Sequence, residues 1–201
     1  MKILFSPFSP YVRKCLLAAH ELGLADQLQL LPSNAHPINR DQEIISVNPL
    51  GKVPTFHTDD GQVLFDSRVI CKYLNQLAGG SLIPASGAGR WQTLTLQALG
   101  DGMLDAALIA RYEDVARPDE LKWPQWRASQ LDKCETSLTY LDKQPGLLAG
   151  RVDLGTLTVG CALWYLDLRF PDVDWRTGHG PTARWYEEFS RRPSMARTWS
   201  L

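Results

Sequence analysis

The sequence predicts an α+β protein in which a mixed β-α-β-α-β-β-α half is followed by an all-helical half. Three observations predict it. Short apolar runs that read as strands occur only before residue 66, apolar residues recur at helical spacing beyond residue 90, and between them lies "GGSLIPASGAG", rich in Gly, Ser and Pro and without period. The boundaries that follow are a first domain over 1–78, a linker over 79–88 and an all-helical domain over 89–201.

Within the first half, "KILF" is a short strand, and Ser9 followed by Pro10 opens a helix carrying Val12, Cys15, Ala19 and Leu22 on one face and stopping at Gly23. "LQLLP" is a second strand. "NRDQEIISVNP" gives a short helix or irregular turn ended by Pro49. "VPTFHT" and "QVLF" flank Asp59, Asp60 and Gly61, an Asp-Gly hairpin signal that makes the third and fourth strands antiparallel. "DSRVICKYLNQL" begins with capping residues and places Val69, Ile70, Tyr73, Leu74 and Leu77 on one face of a helix.

In the second half the helical spacing runs through Trp91, Leu94, Ala98 and Leu108, then Leu131, Cys134, Leu138 and Leu141, then Leu163, Leu166 and Phe170. Six of the seven tryptophans lie beyond residue 120, which predicts a bundle core filled by large aromatics.

Composition narrows the function. With 21 cationic and 22 anionic side chains the net charge is −1, so no basic excess points to nucleic acid or to an anionic membrane. The apolar runs are too short to cross a bilayer. Met1 leads straight into a strand with no signal-peptide pattern, so a cytoplasmic protein is expected. Cys15, Cys71, Cys134 and Cys161 lie far apart without C-x-x-C spacing and read as reduced core thiols. His20, His36, His57 and His179 form no metal-ligand spacing, and no Gly-rich phosphate loop occurs, so neither a metal nor a nucleotide is implied.

Three local motifs carry chemistry: "SPYVRK" after the first strand, "NPLGKVPTF" at the third, and "DSRVICKYL" opening the third helix. On local pattern alone Ser9 and the Asp66-Ser67 pair are good helix caps, and Val53-Pro54 is an ordinary dipeptide. Together with "LLAGRVDLGTLTVG" in the last third, the three motifs, in their order and spacing, resemble the glutathione S-transferase superfamily over nearly the whole chain, in its bacterial-type members with a serine at the thiolate position.

The resemblance implies a thioredoxin-like first domain that binds glutathione, and an enzyme that activates the glutathione thiol for addition to a small hydrophobic electrophile. Ser9 stands where redox relatives place an attacking cysteine. A serine there forms no mixed disulfide, but its hydroxyl can accept a backbone N–H bond and donate its proton to a bound thiolate. Ser6 and Tyr11 are the rival hydroxyls. Arg13 and Lys14, one turn in, read as solvated cations that raise the local potential modestly. A cis Val53-Pro54 bond, implied by the resemblance, turns the Val53 backbone outward to pair with the extended tripeptide, with Lys52 beside its glycyl end. Ser67 suits the γ-glutamyl carboxylate and Asp66 its ammonium.

By the same resemblance the electrophile lies over the first helix and the first long helix of the second domain, making Leu108, Ile109, Arg111 and Tyr112 its candidates, each also readable as an ordinary helix residue. A homodimer is implied, with "DGMLDAAL" lining its groove and Asp105, then Asp101, reaching the γ-glutamyl ammonium of the neighbouring site. The final-core-helix motif departs from the family pattern: Thr156 is followed by Val159 rather than an acidic residue, so half a capping box is missing and a loose helix start is expected. The alternative function is a non-catalytic glutathione-binding or protein-partner module of the same fold.

Overall fold

The structure is a computed structural model and describes residues 1–198. Its chain forms two compact units, one made of Met1–Ala85 with the chain from Pro193 onward, the other of Ser86–Arg192.

The first unit contains β1 (Lys2–Phe5), α1 (Pro10–Glu21), β2 (Gln29–Pro32), α2 (Gln42–Val47), β3 (Thr55–His57), β4 (Val63–Leu64) and α3 (Ser67–Leu77). The order is the one the sequence predicts. The sheet runs β2-β1-β3-β4, with β2 parallel to β1 and β3 antiparallel to both β1 and β4. Register follows from which side chains are apolar: Ile3 pairs with Phe56 and both are fully buried, whereas Lys2 on the other face is exposed. Val12, Cys15, Ile70, Cys71 and Leu74 complete this core from α1 and α3. The β3–β4 turn closes through Thr58 N–H to Gln62 C=O at 3.0 Å, and Gly61 takes the φ of +87° that the Asp-Gly signal anticipates.

Arg13 and Lys14 depart from the expectation of solvated cations, since both are buried. Arg13 Nη1 donates to the Thr198 carbonyl at 2.9 Å and Nη2 to the Met195 carbonyl at 3.0 Å. A buried guanidinium requires such acceptors, and the late chain supplies them. The segment from Pro193 therefore joins the first unit, although the sequence reading carried the helical domain to residue 201. Ser194 Oγ adds a bond to Glu21 Oε1 at 2.6 Å.

The second unit contains α4 (Gly87–Val115), α5 (Pro124–Asp142), α6 (Leu154–Arg169) and α7 (Gly180–Ser190); α8 (Pro193–Arg197) follows in the first unit. The α6 helix is its axis, with Leu154 to Leu166 buried without a break. It lies close against α4 because two glycines permit it: a Cβ on Gly155 would come within 2.8 Å of the Thr93 carbonyl, and one on Gly100 within 2.9 Å of Val159 N.

The start of α6 corrects the loose capping expected from the sequence. Asp153, not Thr156, is the N-cap; Asp153 Oδ1 accepts from Thr156 N–H at 3.0 Å, and Asp153 N–H donates to Thr156 Oγ1 at 2.9 Å. The reciprocal box is complete one turn earlier than the sequence reading placed it. Arg151 and Thr93 also donate to Asp153 Oδ2, at 2.6 and 3.2 Å.

The tryptophans divide. Trp164 and Trp175 are buried as expected, but Trp123 and Trp126 are 59% and 41% exposed and stack on each other at 6.3 Å. Trp199, counted among the six, lies outside the described residues. All four cysteines are buried and none is in a disulfide. No helix among the described residues is long and apolar enough to cross a membrane.

His179 ties α7 to α5. Its Nδ1 lies 3.0 Å from Asp142 Oδ2 and its Nε2 2.8 Å from Glu135 Oε1, while Thr182 donates to Asp142 Oδ1 from both its amide and its hydroxyl. Burial lowers the His179 pKa, but hydrogen bonds and charge from Glu135 and Asp142 outweigh it and hold the pKa above the ordinary value. Burial likewise raises Asp142, but the Thr182 and His179 hydrogen bonds outweigh it and leave it lowered. A raised imidazole contributes stability that is complete below about pH 6.5 and is lost as pH rises through the folded value. A lowered carboxyl contributes stability present above its ordinary range and lost as pH falls. His179→Gln should therefore cost most stability at mildly acidic pH, with the deficit shrinking toward alkaline pH; urea midpoints of both proteins across pH measure this.

Candidate functional site

The sheet register brings the three sequence motifs to one end of the first unit. The β1–β3 pairing of Leu4 with Thr55 puts the end of β1, which leads to Ser6, at the same end of the sheet as the start of β3, which follows Val53 and Pro54. The β3–β4 pairing of Phe56 with Leu64 puts the end of β4, which leads to Asp66 and Ser67, at that same end. Ser9 follows β1 at this end. Segments dozens of residues apart in sequence thus share one edge because antiparallel pairing fixes their level.

Ser9 is half-buried and is the N-cap of α1, its Oγ accepting from Val12 N–H at 3.3 Å. Its amide donates to the Ser6 carbonyl at 3.0 Å, forming the turn between strand and helix. Pro10 at the first helical position leaves the following N–H groups pointing out of the helix start. Ser6 and Tyr11, the rival hydroxyls, are also half-buried. Cys15, further along α1, is fully buried with its sulfur 3.9 Å from that of Cys71.

The Val53-Pro54 peptide is cis, as is the Phe65-Asp66 peptide, of which the sequence carries no sign. Pairing of β3 begins at Thr55, so Val53 lies outside the ladder. Lys52 is exposed. Its carbonyl is held by two donors, Asn48 Nδ2 at 3.1 Å and Thr55 Oγ1 at 2.8 Å, while Asn48 Oδ1 accepts from Leu50 N–H at 3.1 Å and Asn48 Nδ2 also reaches Thr55 Oγ1 at 2.8 Å. Asn48 and Thr55 were not singled out from the sequence. The available signal was a polar residue that closes an amphipathic turn ahead of a Pro-Leu-Gly bend, where only a buried partner explains its type.

Asp66 and Ser67 open α3 as expected. Asp66 is exposed, caps the helix by accepting from Arg68 N–H at 2.9 Å, and lies 3.4 Å from Arg68 Nη1. Ser67 is buried at the first helical position.

In the second unit the four electrophile candidates do not share one surface. Ile109 and Tyr112 line a cleft of about 320 Å³ with Arg117, Pro118 and Trp126, and Leu108 and Arg111 do not line it. Burial raises the Tyr112 pKa against the opposing charge of Arg169. Asp101 is buried and accepts from Gln97 Nε2 at 3.5 Å; Asp105 is exposed. Among the described residues no group of three His, Cys, Asp or Glu side chains is arranged to hold a metal ion.

Comparison with known proteins gives concordant results. Residues 8–77 match the family model for the glutathione S-transferase N-terminal domain and residues 124–188 the model for its C-terminal domain. The chain is 30% identical over 202 residues to an uncharacterized GST-like protein, YibF, of Escherichia coli K12, covering 98% of each. It belongs to the glutathione S-transferase superfamily. A crystal structure of a glutathione transferase family member from Pseudomonas fluorescens Pf-5 with bound glutathione matches at a TM-score of 0.96 and 44% identity, over 100% of this chain and 98% of that one. Another, with bound S-(propanoic acid)-glutathione, matches at 0.91 and 43% over the full length of both. The transferase fold accounts for the mixed four-stranded sheet followed by helices.

The Asn48 and Thr55 bonds to one carbonyl make a coupled pair. Asn48→Ala strands the Leu50 N–H and removes one donor from Lys52, at an expected cost of about 1–3 kcal/mol. Because Thr55→Val attacks the same carbonyl, the double variant should lose measurably less or more than the sum of the singles; strict additivity in urea unfolding would show the two bonds to be independent.

Proposed function

We propose that this protein is a glutathione transferase in which Ser9 holds the glutathione sulfur as a thiolate for attack on a small electrophile. The observation that carries the reading is the arrival of Ser9, Val53 and Ser67 at one end of the sheet through the β1–β3–β4 register. The glutathione held by a family member from Pseudomonas fluorescens Pf-5 at 44% identity supports it, as does the S-(propanoic acid)-glutathione held in a second structure of that member.

Each group has a distinct task. The Ser9 oxygen accepts from Val12 N–H, leaving its own proton to be donated to sulfur. Free N–H groups and the positive end of the α1 dipole favour the charged form of that sulfur. A thiol with an ordinary pKa of about 8.5 is mostly protonated at neutral pH, and each unit of lowering corresponds to about 1.4 kcal/mol. Val53, outside the ladder, pairs its backbone with the extended peptide. Ser67 donates to the γ-glutamyl carboxylate at the start of α3, Asp66 accepts from the ammonium, and Lys52 lies toward the glycyl carboxylate. The thiolate then forms a carbon–sulfur bond with the electrophilic carbon, whose displaced electron pair goes to a leaving group or to the adjacent atom, which solvent protonates.

A homodimer in which Asp105 reaches the ammonium of the neighbouring site, and a cytoplasmic location, complete the proposal.

Titration calorimetry with glutathione tests it. Binding with a dissociation constant between micromolar and millimolar is expected, and Ser67→Ala should weaken it about tenfold or more by removing a charge-assisted bond. Absence of heat at millimolar glutathione would exclude the transferase reading and favour a partner-binding module.

A further inference from the structure

His179 stands between two carboxylates, with Nδ1 3.0 Å from Asp142 Oδ2 and Nε2 2.8 Å from Glu135 Oε1. A neutral imidazole has one N–H and one lone pair, so it can donate to only one of them. The imidazolium has two N–H groups and satisfies both. Hydrogen-bond chemistry alone therefore makes the arrangement depend on a bound proton, and the raised His179 pKa agrees with it.

The two carboxylates differ in what else holds them. The Asp142 side chain is 15% exposed and also accepts the Thr182 amide at 2.9 Å and the Thr182 hydroxyl at 2.6 Å. His179, the residue before α7, offers that helix no side-chain cap of its own, so Asp142 caps α7 from α5. The Glu135 side chain is 59% exposed, and among the described residues its carboxylate meets His179 alone. The backbone carrying the ring lies in "TGHGP", between Gly178, whose φ is +89°, and Gly180. A glycine on each side leaves His179 few steric restraints.

The other charged groups around the start of α7 are matched elsewhere or face solvent. Arg176, in the turn before α7, pairs with both oxygens of Asp167 on α6, at 2.7 and 2.8 Å. Asp174, in the same turn, accepts from the Thr177 hydroxyl. Lys143 after α5 and Arg184 on α7 are exposed. The charges that act on the ring are those of Glu135 and Asp142, both on α5.

We infer that His179 is a proton-operated latch between α5 and α7: as the imidazolium it holds Asp142 and Glu135 together, and on losing its proton it keeps Asp142, releases Glu135 and loosens the start of α7. The proton that leaves is the one on Nε2. The Nδ1 N–H stays with Asp142, the more buried acid, which can least do without a donor. The Nε2 lone pair then faces the Glu135 carboxylate, and repulsion moves that exposed side chain into water. The folded pKa lies above the ordinary 6.5, so the latch is closed below that value and opens as pH rises through the folded one.

Amide hydrogen exchange on the full chain tests the latch, at about pH 6 and about pH 9, with the intrinsic rate at each pH divided out. Protection at the start of α7, over residues 182–186, should fall about three- to tenfold at the higher pH, while that of α6 stays unchanged. Glu135→Gln is the deciding variant, and the exposure of Glu135 keeps it from disturbing the core. A glutamine side chain can accept from the imidazolium or donate to a neutral Nε2, so it partners the ring in both states and the fall should vanish. Nitrogen NMR of the ring gives a second reading, in which the neutral form carries its proton on Nδ1. No fall in the unaltered protein, an equal fall in Glu135→Gln, a fall shared by α6, or a neutral ring protonated at Nε2 would each overturn the latch.

Discussion

The antiparallel register that pairs Leu4 with Thr55 and Phe56 with Leu64 is the constraint on which the first unit depends. It brings the end of β1, the start of β3 and the end of β4 to one end of the sheet, where the chain leads on to Ser9, back to Val53 and on to Ser67. The register is secured by the core behind the sheet: Ile3 and Phe56 are fully buried, and a slip of one residue would send Lys2 and His57 inward in their place. A hydrophobic requirement at the sheet centre thus becomes positional accuracy at the sheet edge. The Asn48 and Thr55 bonds to the Lys52 carbonyl extend that accuracy into the bend before β3, where no ladder operates.

The second unit uses a different device to the same end. Its axis, α6, is anchored at its start by the Asp153–Thr156 box and pressed against α4 where Gly100 and Gly155 carry no Cβ. Close approach of the two helices fixes their register, with Gly155 against Thr93 and Leu96 and Gly100 against Thr158 and Val159.

Much of this was legible in the amino-acid sequence, for identifiable reasons. Ser9-Pro10 and Asp66-Ser67 are local signals, since capping depends on residues within one turn, and both helices begin where those signals stand. The Asp-Gly hairpin is equally local. What escaped the sequence is long-range. Arg13 reads as a surface cation because its acceptors, the Met195 and Thr198 carbonyls, lie more than 180 residues away. The cap of α6 was misplaced by one turn because Asp153 and Thr156 are both good capping residues, and only the neighbours Arg151 and Thr93 decide between them. Helical spacing does not separate tryptophans that fill a core, such as Trp164, from those that stack outside it, such as Trp123 and Trp126. Of the four α4 candidates for the electrophile, Ile109 and Tyr112 face a cleft that Leu108 and Arg111 do not, because helical spacing alone does not say which face of α4 meets open space.

If Ser9 is the donor that holds sulfur as thiolate, the pKa of the bound thiol is the quantity it controls. The thiolate absorbs near the ultraviolet edge, so its titration can be followed on the glutathione complex without choosing an electrophile. In the unaltered protein the bound thiol should titrate below about 8.5, and in Ser9→Ala about one to two units higher than in the unaltered protein, with Ser6→Ala nearly unchanged. An unaltered titration in Ser9→Ala, or a larger shift in Ser6→Ala, would contradict the assignment and leave Ser9 as a helix cap alone.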